Sequence, residues 1–509
     1  MSVWKRHARY YLTLIQSNKD AWQWIEVELA QIRRAWAWVS GGGDEKLVPD
    51  YIRTFFPFQE RRGLWREAVA WGEQGLAVAR ALANGDQVAN VILGNLGLAY
   101  YRLGEMHKAM SCYEQALRLA RQAGDSWTEG ARLGNLGLVY LDIGEIDKAI
   151  QHFDAALAIH HQLQDSKQEA TWLGNLGLTY ARRGESRRAI TYLERALAID
   201  REIGDRRSEG VDLGNLGLAY ADQGEVRTAI AHYEQSLRIA RDVSDRRNEG
   251  VWLGNLGRGW LDLRERQKAI EFFEQALQVA QEIGDRLSEG AWLSNLGRTY
   301  LDLQEPAKAI EYIERALEVA REIGDQHGEG ARLGTLGMAY VDLGERQQAV
   351  TCYEQALEIA RRVGDRQNEG AWLSNLGRIL QDLGDTSKAI EYYQRALEIA
   401  REIGDKWGES IRLGRLGLVS QQVSDIQKAL DYYGQARNIA RGIGDREGEA
   451  IHSWNLGRLY EHEGDLLRAV ELMKTAVDYE QSINDPEAEQ HATHLSRLRE
   501  RLEQVSAKG

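Results

Sequence analysis

Residues 129–140 read "EGARLGNLGLVY". Leu133, Leu136 and Tyr140 are spaced by three and four, the signature of a helix with one buried stripe. Yet Gly130, Gly134 and Gly137 lie in the same stretch. Each glycine in a helix interior costs about 0.8–1 kcal/mol relative to alanine. A helix that carries three of them needs a compensating contact.

The stretch recurs every forty residues without slippage. "LGNLG" begins at Leu93, Leu133, Leu173, Leu213 and Leu253, and "LSNLG" follows at Leu293. Variants continue at Leu333, Leu373, Leu413 and Ser453. A fixed period of this size is the mark of a repeat architecture. Ten units span residues 86–484 of the 509. A length that would otherwise suggest several globular domains therefore predicts one solenoid, because each unit buries its apolar face against the next.

Residues 125–164 show the unit at work. Asp125 is a natural N-cap, with Glu129 in the first turn to complement the helix dipole. Gly144 ends the first helix, as glycine does just past a C-terminus. The second helix aligns Ile146, Ala149, Ile150, Phe153, Ala156 and Leu157 on one face. Gly-Asp pairs such as Gly204-Asp205 and Gly284-Asp285 close one helix and cap the next. The unit reads as helix–turn–helix.

Leu133, Leu136, Gly137, Tyr140, Ala149, Phe153 and Ala156 together resemble the tetratricopeptide pattern of alternating large and small positions. The common form of that repeat has about 34 residues; here both helices are extended. The forty-residue unit with Leu-Gly-Asn cores is similar to the Leu-Gly-Asn-repeat adaptors of spindle orientation and to many bacterial tetratricopeptide proteins. The resemblance implies an all-α solenoid wound as a right-handed superhelix, and a function in binding proteins or peptides.

The glycines then acquire a reason. At 100° per residue, positions 130, 134 and 137 fall in one narrow stripe beside the leucine face. Other units keep small residues there, including Ala170, Ser294, Ser374 and Ser410. The opposite flank is bulky: Arg132, Trp172, Trp252, Trp292, Arg332, Trp372 and Arg412. We expect a large side chain of one unit to cover the small stripe of its neighbour.

The ends depart from the repeat. Residues 1–46 predict an aromatic-rich helical cap, with helices near 3–17 and 20–39 and a break at "GGGDE". Residues 47–85 look like a degenerate repeat, since Gly63, Ala68 and Leu76 align with Gly104, Ala109 and Leu117. The run "HARYYLTLIQ…AWQWIEVELAQIRRAWAWV" also resembles the junction before the sensor arm in signal-transduction ATPases with numerous domains. The 509 residues contain no G-x-x-x-x-G-K-[ST] phosphate loop. That resemblance therefore implies a sensor arm without its ATPase module. Residues 485–509 predict a C-terminal capping helix with Leu495, Leu498 and Leu502 on one side.

The formal net charge of −13 argues against general nucleic-acid binding, which needs a basic footprint. Cys112 and Cys352 occupy one repeat position six units apart, too far for a disulfide. Unpaired thiols fit a reducing compartment, and no membrane span or signal peptide is evident; the expected location is the cytoplasm. No metal-ligand spacing, nucleophile elbow or dinucleotide loop is present, and His491 and His494 could share a helix face. A glutamate recurs in each linker, from Glu129 to Glu489, beside Arg201, Arg241, Arg321, Arg361 and Arg401 of the preceding helix ends. These read as inter-helix ion pairs, so neither enzymatic activity nor a cofactor is expected.

The candidate site is the groove. The helical wheel places Asn95, Asn135, Asn175, Asn215, Asn255, Asn295, Asn375 and Asn455 opposite the buried stripe, interrupted by Thr335 and Arg415. In tetratricopeptide arrays that face lines the concave surface. An asparagine both donates and accepts, so a ladder of them can satisfy an extended peptide backbone. Arg258, Arg298, Arg378 and Arg458 share the face. Two readings stay open: the ladder binds a protein or peptide, or it ties neighbouring helices together. Likewise, Arg258–Asp262, Arg298–Asp302 and Arg378–Asp382 have the spacing of i,i+4 surface pairs. The competing function is a regulatory arm acting on a separate signalling ATPase or transcriptional partner.

Overall fold

The computed structural model describes residues 2–17, 22–79 and 85–506. Every regular element among them is helical. The chain divides into two compact units, residues 1–264 and 265–509.

In the first unit the antiparallel pairs are Gly85–Arg102 with Met106–Ala123, Ser126–Asp142 with Ile146–Gln162, Ser166–Arg182 with Ser186–Ile203, and Arg206–Asp222 with Val226–Asp242. The second unit continues with pairs such as Arg286–Asp302 with Pro306–Ile323 and Arg366–Asp382 with Thr386–Glu402, and ends in the helix Ala488–Ser506. Each unit is an all-α solenoid of stacked helix–turn–helix repeats.

The turns follow from local chemistry. Helix Met106–Ala123 stops at Gly124, whose φ of +68° lies in the left-handed region where glycine carries no Cβ penalty. Asp125 then caps the next helix, its carboxylate accepting from the Thr128 backbone N–H at 3.0 Å. The same cap recurs at Asp165, Asp205 and Asp245 in the first unit, and at Asp285, Asp325, Asp365, Asp405 and Asp445 in the second. Pro306 occupies a first helical turn, where its missing N–H is harmless.

The glycines of the first-helix stripe prove to serve two different contacts. A Cβ at Gly137 would lie 2.7 Å from the ring of Phe153, on the second helix of the same pair. One at Gly130 would meet His160 of that same helix at 2.6 Å. The middle glycine faces the next repeat: Gly94 lies under Arg132, Gly134 under Trp172, and Gly214 under Trp252. In the second unit Trp372 covers Gly334 and His452 covers Gly414. The expectation that neighbouring units cover the whole stripe is thus narrowed chiefly to its middle position, although Arg332 also reaches the outer Gly290 at 3.1 Å. The outer two let the helices of a single hairpin close up.

The N-terminal segment also differs from expectation. The helix foreseen over 20–39 is divided into Trp22–Val27 and Leu29–Trp38, and its residues 20–21 lie outside the described ones. Trp36 stacks on Trp71 with ring centroids 4.4 Å apart, and Phe55 on Trp71 at 4.8 Å. Tyr51 donates its hydroxyl to the Ala8 carbonyl at 2.6 Å, anchoring helix Val3–Ser17. At the other end Leu495 and Leu498 bury against Met473 and Val477.

Candidate binding groove

The exposed face of each first helix carries the asparagine row. In the first unit Asn95, Asn135, Asn175, Asn215 and Asn255 are half-buried, and in the second so are Asn295, Asn375 and Asn455. Thr335 and Arg415 take the same register. Among the described residues, no hydrogen bond joins any of these eight amide groups to a neighbouring side chain or backbone. Each therefore retains a donor pair and an acceptor within reach of a ligand.

Three residues on lies a second row. Arg258, Arg298 and Arg458 are exposed and Arg378 is half-buried. The i,i+4 pairing of Arg258, Arg298 and Arg378 with Asp262, Asp302 and Asp382 does not occur among the described residues. Exposed pairs contribute little when they form, and here the long side chains keep their freedom. Asp142, at the register of those aspartates, is engaged by its neighbours instead: it accepts from the Tyr101 hydroxyl and from Arg182 at 3.5 Å.

The linker glutamates hold the repeats in register. Glu369 accepts from Arg361 Nε at 2.9 Å and is also held by Arg366. The pattern returns at Glu209, Glu249 and Glu409, with Arg201, Arg241 and Arg401 at 2.9, 2.9 and 2.7 Å. One carboxylate bridges the end of one helix to the start of the next, which is an ion-pair role. His491 and His494 do share a face: both pack on Trp454, with carboxylates of Glu480 and Glu461 at 2.9 and 2.8 Å. Among the described residues no three metal-ligating side chains gather at one point, and no helix is long and apolar enough to cross a membrane.

Sequence reasoning missed a depression in the second unit. A cavity of about 440 Å³ is bounded by Trp407, Ile451, Leu418, Arg415, His452 and Asn455 among others. Trp407 is 59% and Ile451 52% exposed. The signal for it was the local break in the asparagine register at Arg415. His452 is buried at its rim, its Nε2 3.2 Å from Ser410 Oγ, which donates to the Ala436 carbonyl. Burial pushes the His452 imidazole down to about 4, so it is neutral at physiological pH.

The tetratricopeptide repeat family model matches at residues 58–122, 129–202, 212–282, 261–322, 330–402 and 410–481. Among curated proteins no sequence matches the chain. Of solved structures, a signal-transduction ATPase with numerous domains that carries a tetratricopeptide repeat sensor, from Pyrococcus horikoshii, is 16% identical with a TM-score of 0.55. That match covers 72% of this chain and 55% of the other. The apo quorum sensor NprR of B. thuringiensis is 16% identical over 70% of this chain and 98% of its own, with a TM-score of 0.48. Apo RapI is 18% identical over 54% and 99% respectively, with a TM-score of 0.43. At these identities the likeness is one of fold.

Proposed function

Since the chain belongs to the tetratricopeptide repeat family, we propose that it is a scaffold that binds a protein or extended peptide along the asparagine row of its first helices. The observation that carries this reading is the unspent hydrogen-bonding capacity of that row. Half-burial holds each amide in place, while no internal partner competes for it. The unpaired arginines beside it add recognition of acidic groups on the partner. In the second unit, Trp407 and Ile451 supply the apolar contacts that anchor side chains in such interfaces.

The test is the variant with Asn295, Asn375 and Asn455 all changed to alanine. A partner is first identified by affinity purification from the native host and mass spectrometry. Each hydrogen bond contributes ~0.5–1.5 kcal/mol, so affinity for that partner should fall at least tenfold while the melting temperature hardly moves. The reverse outcome, lower melting with unchanged affinity, would make the amides structural. A second reading, a regulatory arm that acts on a separate signalling ATPase or transcriptional partner, draws on the N-terminal aromatic segment. An ATPase encoded beside this chain and co-purifying with it would favour that role.

A further inference from the structure

Position 212 breaks the rule that covers the middle glycine. In the first unit Arg132, Trp172 and Trp252 close over Gly94, Gly134 and Gly214. At the equivalent place above Gly174 stands a short aspartate, Asp212, whose Oδ1 would lie only 2.9 Å from a Cβ there. A cavity of about 260 Å³ occupies the space a large side chain fills elsewhere. On its wall a second departure faces it: Asp200 replaces the buried alanine found at Ala120 and Ala240.

Both carboxylates are deeply buried, Asp200 at 2% exposure and Asp212 at 6%. The Asp200 Oδ2 has no hydrogen-bond partner. The cations beside the pair, Arg207 and Lys167, are committed elsewhere. Arg207, which borders the cavity, pairs with Asp245 at 2.8 Å, and Lys167 pairs with Asp205 at 3.3 Å. Two buried acids without a cation form an arrangement that a positive group would complete. The cavity adjoins the asparagine row, since Asn175 and Asn215 are among the residues that line it.

We infer that this cavity is a socket for one basic side chain, a guanidinium or ammonium group, of a peptide lying along the asparagine row. The inference rests on the groove reading for its peptide, while the socket itself can be tested separately. Two carboxylates fall short of the three-ligand clusters that hold metals, and no such cluster exists among the described residues.

Proton linkage supports the assignment. Burial first, then the neighbouring Asp200, pushes the Asp212 carboxyl well above the usual carboxylate range. Burial first, then Asp205, raises Asp200 as well; its hydrogen bond with Asp212 opposes this, Glu209 adds to the repulsion and Lys167 lowers it. With the Asp212 carboxyl raised to about 8, the pair holds a proton at neutral pH. Entry of a cation expels that proton to solvent, so binding should strengthen as pH rises.

The experiment titrates the full chain calorimetrically with N-acetyl-arginine methylamide, its lysine counterpart and the neutral citrulline analogue. At least one basic probe should bind tenfold or more tightly than the citrulline analogue. Its binding should release about one proton, read from buffers of different ionisation enthalpy. Asp212→Asn keeps the volume and should weaken the basic probe at least tenfold. Asp212→Trp restores the covering ring and should abolish binding, with folding verified by its melting curve. Equal binding of arginine and citrulline probes, or an unchanged affinity in Asp212→Asn, would overturn the socket. So would Ca²⁺ or Mg²⁺ binding there in preference to the basic probes. Asn295, Asn375 and Asn455 do not border this cavity, so failure of the groove reading leaves this result standing.

Discussion

Trp172 shows how a single side chain joins two repeats. It is buried, overlies Gly134 of the preceding repeat, and stacks on Phe153 at 6.2 Å between centroids. Trp172→Ala should cost about 3–5 kcal/mol, the range for an aromatic removed from a packed core, measured by denaturant unfolding. A loss below about 1 kcal/mol would mean the indole is not part of the core. Gln304 offers the opposite change. Its φ of +60° places a residue with a Cβ in the left-handed region, which costs roughly 1–2 kcal/mol. Gln304→Gly should recover part of that, about 1 kcal/mol, and raise the melting temperature. His452 gives a pH signature. Its folded pKa of about 4 lies below the ordinary value of 6.5, so the unfolded chain takes up the proton first. Stability is full above about pH 6.5 and is lost as pH falls through the folded value. His452→Phe should flatten the decline in melting temperature between pH 7 and pH 5; an identical pH profile would show that another group governs it.

At the scale of the element, the helix–helix junction depends on its glutamate. The Glu369 side chain is almost wholly buried and meets Arg361 at 2.9 Å, whereas Glu449 meets Arg441 only at 4.0 Å, and both partners are more exposed. Removing one partner of a buried pair leaves an uncompensated charge, while exposed pairs are worth little. Because Arg361 is itself partly solvated, Glu369→Gln should cost about 1–2 kcal/mol, and Glu449→Gln well under 1 kcal/mol. Equal losses in the two variants would show that the junctions do not rely on this bridge. The wheel located the glycine stripe, but not which neighbour each glycine meets. Periodicity also could not foresee the division near Glu28 of the N-terminal run, where the Glu28 backbone sits at φ −91° and ψ +6°.

Across the whole molecule, stability in a repeat array is a sum of units and nearest-neighbour interfaces. The helix Ala488–Ser506 covers Met473 and Val477 through Leu495 and Leu498. Deleting residues 485–509 should expose that apolar surface, so that Leu466–Ser482 loses hydrogen-exchange protection before the helices of residues 366–442. Uniform protection in the shortened chain would mean that the array unfolds as a single cooperative block.

Sequence by itself determined the forty-residue unit, its helix–turn–helix form, the Asp caps and the family. All of these arise from local chemistry and a period repeated ten times, so each unit corroborates the others. The register of the asparagine row was legible for the same reason. Tertiary structure alone decided what single departures mean. Asp212 in sequence is one polar residue among many; only packing shows that it leaves a large side chain's place vacant, opposite a second buried acid. Nor could spacing tell that Arg258 and Asp262 stay apart while Arg361 and Glu369 meet. Helical spacing sets which residues share a face, but contacts between helices depend on distances that only the folded chain establishes.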